Sequence, residues 1–265
     1  MDLHDVVCLG VAGNFAHHLK QAGEEEDFKN VVTDELHAPK GIFPFYLPHS
    51  ESFLGLYSIG TDTLQLPNYV ANAQVEPEIA VLFDIYYDNS NNVTELVAKK
   101  FTTFNDCTIR KEGAKKISEK KSWGPNSKGI ADKWISINKF EKGGVMDNYH
   151  LCSFVNRDGV LHPYGVDAPL LGYSYFYTKL KRWLIDKMNH QKEFGPLEDI
   201  SMHLKECQYP KQALISIGAT AYAEFGENNY LKSGDEVYVI AYDKHKDDAS
   251  VSASPSKVIL HQKVV

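Results

Sequence analysis

Only one stretch of this chain repeats its apolar residues at the spacing of a long α-helix. Between Tyr173 and Asn189, the residues Phe176, Leu180, Trp183, Leu184 and Met188 follow at intervals of four, three, one and four, which places them on one stripe of a helix. Elsewhere, short apolar runs are broken by turn residues. Prolines at 39, 44, 48 and 67 exclude a long helix from that region, because proline lacks the N–H that a helix needs, and the segment reads as short edge strands and turns. The expected fold class is α+β, rich in β structure, with few helices.

The remaining elements fit that class. Val6 to Val11 reads as a strand, Gly13-Asn14 as a turn, and Phe15 to Gln21 as a short helix ended by Gly23, followed by an acidic loop over Glu24 to Asp27. Val75 to Phe83 reads as a strand with Val75, Ile79, Val81 and Phe83 on one parity and Glu76, Glu78, Ala80 and Leu82 on the other. Phe101 to Arg110 is a strand running into a turn at Asn105-Asp106. Lys111 to Gly129 is a long loop with one short helix, of the kind that often serves function. Ala213 to Gly218 and Glu236 to Ala241 read as strands joined through a turn at Ser233-Gly234-Asp235. We divide the chain into a strand-helix appendage with linker over residues 1–50 and a main domain over 51–265.

Composition bounds the function. Apolar residues make up 43% of the chain, enough for a buried core. A formal net charge of −7 opposes binding to nucleic acid or to an anionic membrane surface. The start Met1-Asp2-Leu3-His4-Asp5 has no signal-peptide pattern and no apolar run is long enough to span a bilayer, so a cytoplasmic protein is expected. Cys8, Cys107, Cys152 and Cys207 form no CxxC pair, which leaves reduced thiols rather than a zinc ribbon or disulfide framework. The lysines at 111, 115, 116, 120 and 121 lack interleaved aromatics before Trp123 and do not make a nucleic-acid patch. P-loop, GxGxxG and GxSxG patterns are absent.

Chemistry concentrates on carboxylates. In Glu76-Pro77-Glu78, the period of a strand sets two carboxylates on one face about 7 Å apart along the backbone, within reach of one hard cation. Such a pair is commonly just a solvent face; on a buried face, like charges need a cation to be tolerated. With no Cys or His in the motif, Mg2+, or else Mn2+ or Ca2+, is the preferred ion. Asp106 can supply a third carboxylate, or cap a turn. Arg110 can bind substrate or anchor a carboxylate, and Lys128, in a Ser-Lys-Gly turn, can stabilise an enolate. His17 and His18 have no carboxylate three or four residues on: those positions are Lys20 and Gln21 for His17, Gln21 and Ala22 for His18.

Taken in order, these motifs resemble the fumarylacetoacetate hydrolase family from about Val6 to Tyr242. The family's opening GxNYxxHxxE-like segment is similar to Gly10 to Gln21, with Asn14, Phe15 and His18 in place. Its ExE pair is similar to Glu76-Pro77-Glu78, its NDxxxRD segment to Asn105 through Arg110, and its lysine after a tryptophan-containing loop to Lys128 after Trp123. The glycine-threonine segment is similar to Ile215 through Thr220 and the closing LxxGD turn to Leu231 through Asp235. The resemblance implies a mixed β-roll, a homodimer, and a divalent metal held by Glu76, Glu78 and Asp106. It also implies catalysis involving His18, position 21 and Lys128, with Arg110, Gly218 and Thr220 on the substrate.

The reaction it implies is metal-dependent hydrolysis of a carbon–carbon bond in a small anionic 2-oxo acid of the acylpyruvate kind. Decarboxylation and tautomerisation are alternatives on the same site, and a non-catalytic ligand-binding member is another. Three departures bear on that choice: Gln21 stands where the family has the glutamate that orients its histidine, Leu47 where it has a lysine, and Ile217 where it has a threonine. Hydrolysis needs an activated water and suffers most from the first, whereas decarboxylation needs chiefly the metal as electron sink.

Overall fold

Strand β6 (Pro77–Tyr87) shows how the alternating pattern is used. Ile79, Val81 and Phe83 enter one buried cluster, while Ala80 and Leu82 enter a second on the opposite face with Phe43, Phe45 and Leu214. Over residues 78–83 both faces of the strand are therefore covered, and the parity that carries Glu78 is as dry there as the apolar one. The computed structural model describes residues 2–265 apart from 16–20, 22–27, 34, 36, 70 and 112. His17, His18, most of the helix expected before Gly23 and the acidic run after it lie outside the described residues.

The large sheet runs in the order β2 (Gly41–Tyr46), β1 (Val7–Ala12), β13 (Gln212–Ser216), β6, β7 (Val93–Asn105), β9 (Lys128–Ile130) and β3 (Ile59–Gly60), with β10 (Ile135–Ser136) also on β7. Strands β1 and β13 are parallel, with Leu9 opposite Ile215, whereas β13 and β6 are antiparallel, with Ile215 opposite Val81. The segment before residue 50 thus contributes two strands to this sheet. A second sheet has the order β12 (Val160–Pro169), β11 (Tyr149–Arg157), β14 (Glu236–Asp243), β15 (Lys257–Val264) and β4 (Thr63–Leu64). Strands β5 (Ala73–Gln74) and β8 (Thr108–Ile109) form a small ribbon. The main core joins the inner faces of the two large sheets, with Leu9, Val81 and Phe83 in the same cluster as Leu151, Val237 and Leu260.

Four α-helices occur among the described residues: α1 (Ser118–Lys121), α2 (Tyr177–His190), α3 (Ile200–Glu206) and α4 (Glu224–Asn228). The architecture is the β-rich α+β class expected. Helix α2 buries Leu180, Leu184 and Met188 from its apolar stripe. It starts at Tyr177 rather than near Tyr173, because Leu170–Gly172 makes a 3-10 turn and the backbone of Ser174 and Tyr175 is bound by Asn14 instead of a helical partner.

One pairing differs from the sequence reading. The strands at 213–218 and 236–241 are not joined as neighbours: β13 lies in the large sheet, and β14 pairs with β11 and β15 in the other. Helix α4 intervenes, so the turn around Gly234, in the left-handed region at φ 94°, leads into β14 from a helix and not from a partner strand. All four cysteines are free and buried. No helix among the described residues is long and apolar enough to cross a membrane.

Candidate metal centre

The β6–β7 pairing brings the sequence-distant carboxylates together. Pro77 lies opposite Asn105, and one step beyond it the Asp106 N–H donates to the Glu76 carbonyl at 2.9 Å, so the first and third carboxylates leave adjacent strands at the same level. Asn105, fully enclosed, accepts from the Glu76 N–H at 3.3 Å. Glu76, Glu78 and Asp106 are all buried, and each offers an oxygen within 4.8 Å of the others. Burial is the first cause, and the neighbouring Asp106 charge the second, that pushes the Glu78 carboxyl well above its ordinary range.

Two lysines answer this charge. Lys121, at the end of α1, is 4% exposed; its Nζ donates to Glu76 Oε2 at 2.6 Å and lies 2.7 Å from Asp106 Oδ2. Lys128, opening β9, is fully buried, with Nζ 3.3 Å from Asp106 Oδ1 and donating to the Cys107 carbonyl. Burial lowers the Lys128 pKa, opposed by Asp106. Neither Asp106 oxygen accepts a well-directed hydrogen bond among the described residues; both are held by ammonium charge. A narrow pocket opens on the trio between Val11, Gly13, Phe43, Ile117 and Ala219. Three hard oxygen donors converging without Cys or His suit Mg2+, Mn2+ or Ca2+ in kind, so the residues fit a divalent ion by donor chemistry, with Lys121 standing among them.

The other predicted residues fall into two groups. Gly218 and Thr220 adjoin the carboxylates: the Gly218 N–H donates to Glu78 Oε2 at 2.9 Å, and the Thr220 N–H donates to the Pro77 carbonyl at 3.2 Å. Gly218 has φ 114°, and a Cβ there would meet Asn14 Cβ at 2.8 Å, so glycine is required for this approach. Arg110 and Gln21 belong to a neighbouring network. Arg110 Nε donates to Gln74 Oε1 at 2.8 Å and its Nη2 reaches the Tyr222 hydroxyl at 3.4 Å. Gln21 grips the Tyr222 backbone on both sides, accepting from its N–H at 2.9 Å and donating to its carbonyl at 3.3 Å. His18 is outside the described residues. Leu47 is fully buried and apolar in its surroundings.

Sequence reading missed Lys121, which sits in a run of lysines that looks like a solvated face. Helix α1 turns it inward. Ser118 Oγ donates to Glu198 Oε1 at 2.7 Å, the Ile117 N–H donates to the Pro196 carbonyl at 3.1 Å, and Lys116 Nζ donates to the Leu197 carbonyl at 2.8 Å. Desolvation raises the Glu198 pKa to about 7. A carboxyl whose folded pKa lies above its unfolded value of 4.5 supports the fold when protonated, and that support is lost as pH rises from 4.5 through about 7. Glu198→Gln is therefore expected to gain about 1–2 kcal/mol relative to wild type between pH 5 and pH 8, discounted because the residue is only half-buried. Urea unfolding of both proteins at the two pH values checks this, and a constant difference would refute it.

A family model described as "Family of unknown function (DUF5718)" matches residues 24–259, and the chain belongs to that family. No curated protein matches the sequence. Solved structures do share its fold. A 2-keto-3-deoxy-D-arabinonate dehydratase complexed with magnesium and 2,5-dioxopentanoate is 13% identical with a TM-score of 0.55, covering 97% of this chain and 72% of that one. A fumarylacetoacetate hydrolase family protein from Yersinia pestis CO92 is 13% identical with a TM-score of 0.54, covering 98% and 94%. A 5-carboxymethyl-2-hydroxymuconate delta-isomerase from Mycobacterium smegmatis is 14% identical with a TM-score of 0.54, covering 98% and 78%. The fold is thus fumarylacetoacetate hydrolase-like.

Proposed function

We propose that this member of the family of unknown function is a divalent-metal-dependent enzyme acting on a small anionic 2-oxo acid, with hydrolysis of a carbon–carbon bond as the leading reaction. The observation that carries the reading is the buried trio of Glu76, Glu78 and Asp106, whose three carboxylates outnumber the two lysines paired with them. It is supported by the shared fold with a dehydratase whose structure holds magnesium and 2,5-dioxopentanoate. In this reading the trio holds Mg2+, or Mn2+ or Ca2+. Residues 1–50 supply one wall of the pocket through Val11, Gly13 and Phe43, residues 51–265 form the metal-binding domain, and the working species is a cytoplasmic homodimer.

A bound divalent ion would supply Lewis acidity, polarising the 2-oxo group of the substrate. The chain's own residues do the rest. Lys128 lies beside the trio, where its ammonium would stabilise negative charge developing on the substrate oxygen. Gly218 fixes Glu78 through its N–H, and Thr220 Oγ1, buried and without a hydrogen-bond partner among the described residues, would donate to a substrate oxygen. Arg110 sits one network away, oriented by Gln74, as a partner for the distal carboxylate. His18 is the proposed base.

A second reading has its own observation. Both polar atoms of the Gln21 amide are engaged with the Tyr222 backbone, and a neutral amide so held gives a histidine no charge support. Decarboxylation or tautomerisation needs no activated water, so either fits the site with less help from position 21; a silent ligand-binding member needs none. To separate these, acylpyruvates and oxaloacetate are assayed with wild type and Glu78→Ala in millimolar Mg2+ or Mn2+. Wild-type turnover is expected, with a loss in the variant beyond the roughly 10–100-fold seen for an outer-sphere metal partner. Metal binding without turnover on either substrate class sinks the enzyme reading; no metal binding sinks the metal reading as well.

A further inference from the structure

Lys121 bridges two of the three carboxylates of the candidate cation site. Its Nζ lies 2.6 Å from Glu76 Oε2 and 2.7 Å from Asp106 Oδ2, and it reaches the Asp106 backbone carbonyl at 3.4 Å. The first two are carboxylate oxygens, from two of the three converging residues. The ammonium also lies 5.4 Å from the centre of the Phe43 ring, which walls the same pocket, and almost none of the side chain reaches solvent. A hard divalent ion sits about 2.0–2.6 Å from its oxygen ligands. An ion bound to these oxygens would be an immediate neighbour of the ammonium, and like charges at that range in a dry site repel strongly.

Charge counting agrees with the geometry. Counted with every group ionised, the three carboxylates facing Lys121 and Lys128 carry one negative charge more than the lysines. With a divalent ion in place of the Lys121 ammonium, three negative charges meet three positive ones. With both cations present the site is left positive, which its burial disfavours. Lys121 and a divalent ion are therefore alternatives at one position.

We infer that Lys121 is a built-in cation of the carboxylate site, which a divalent metal must displace to bind. This rests on the reading of the trio as a cation site. The side chain hangs from the last residue of a single-turn helix whose anchors are at Ile117 and Ser118, so the lysine can withdraw while the helix start remains tied to the segment around Glu198. Without metal the site stays closed with its charge balanced to within one unit, and wild-type affinity for the ion is reduced by the competition.

The test measures Mn2+ binding by the electron paramagnetic resonance signal of the free ion, on the full chain at fixed pH, for wild type, Lys121→Met and Lys121→Gln. Both variants are expected to bind Mn2+ at least about ten-fold more tightly than wild type, a difference of one decade in Kd. On wild-type protein, amine-specific labelling read by peptide mass spectrometry reports Lys121 directly: it is expected to be shielded without metal and labelled once Mn2+ is bound. This second measurement decides the matter should either variant fail to fold. Equal or weaker binding by the variants, or a Lys121 that stays shielded in the Mn2+-loaded protein, overturns the inference while leaving the cation site standing. Absence of Mn2+ binding in wild type and in both folded variants overturns the two together.

Discussion

Asp106→Ala is expected to lower the unfolding free energy by about 4 kcal/mol and the melting temperature by roughly 10 °C, measured with a chelator present so that no metal contributes. Asp106 pairs with both lysines of the site: Lys121 is 2.7 Å from one oxygen and Lys128 is 3.3 Å from the other. Removing it leaves two ammonium groups in a dry site, with Glu76 still 2.6 Å from Lys121. An uncompensated buried charge is costlier than a cavity of the same volume. A double-mutant cycle isolates the effect. In Asp106→Ala/Lys121→Met one stranded charge is gone, so the double variant is expected to be more stable than the sum of the singles by about 2 kcal/mol. Additive losses would mean that the ion pairs contribute little and that Asp106 serves packing alone.

The same cluster marks where sequence reading succeeds and where it stops. Glu76 and Glu78 could be placed on one face because a strand alternates strictly, and the apolar residues after them confirm the register by entering two different clusters. The stripe of α2 was legible for the corresponding reason at the helical period. Asp106 and Lys128 were legible as candidates through their order along the chain, and the β6–β7 and β7–β9 pairings bring them to one place. Lys121 was not legible. A single turn of helix is too short to show a period, and its inward direction is set by Pro196, Leu197 and Glu198, some eighty residues away. The second sheet was hidden differently. Strands β11 and β12 carry His150, Asn156 and the exposed Val160 and Leu161, so their apolar alternation is broken by polar and edge positions. Strand β14 pairs with β11 on one side and β15 on the other, and the long polar connection over residues 244–256 hides the second of these pairings.

Gly129→Ala is the sharpest test of how that distant strand supports the carboxylates. Strand β15 delivers Gln262, fully buried, against β9 and β7. Its amide accepts from Asn105 Nδ2 at 3.0 Å and donates to the carbonyls of Thr63 at 3.0 Å and Lys128 at 3.3 Å. Asn105 in turn accepts from the Glu76 N–H, which makes a continuous chain from the C-terminal strand to the first carboxylate. The amide can lie there only because residue 129 has no side chain: an added Cβ would come within 2.1 Å of Gln262 Oε1 and 2.4 Å of its Cδ. Alanine must expel the amide and strand its buried partners, a loss of about 3 kcal/mol from overpacking and unmade hydrogen bonds together. Chemical denaturation measures it, and Gly129→Ala/Gln262→Ala is expected to fall short of the summed losses by about 2 kcal/mol, because the amide that clashes is already gone. Mn2+ affinity of the single variant should fall in step, since a loosened Asn105 no longer fixes the backbone beneath Glu76. A Gly129→Ala protein with wild-type stability would show that the amide moves aside without consequence, and that the link from β15 to the site is one of proximity rather than support.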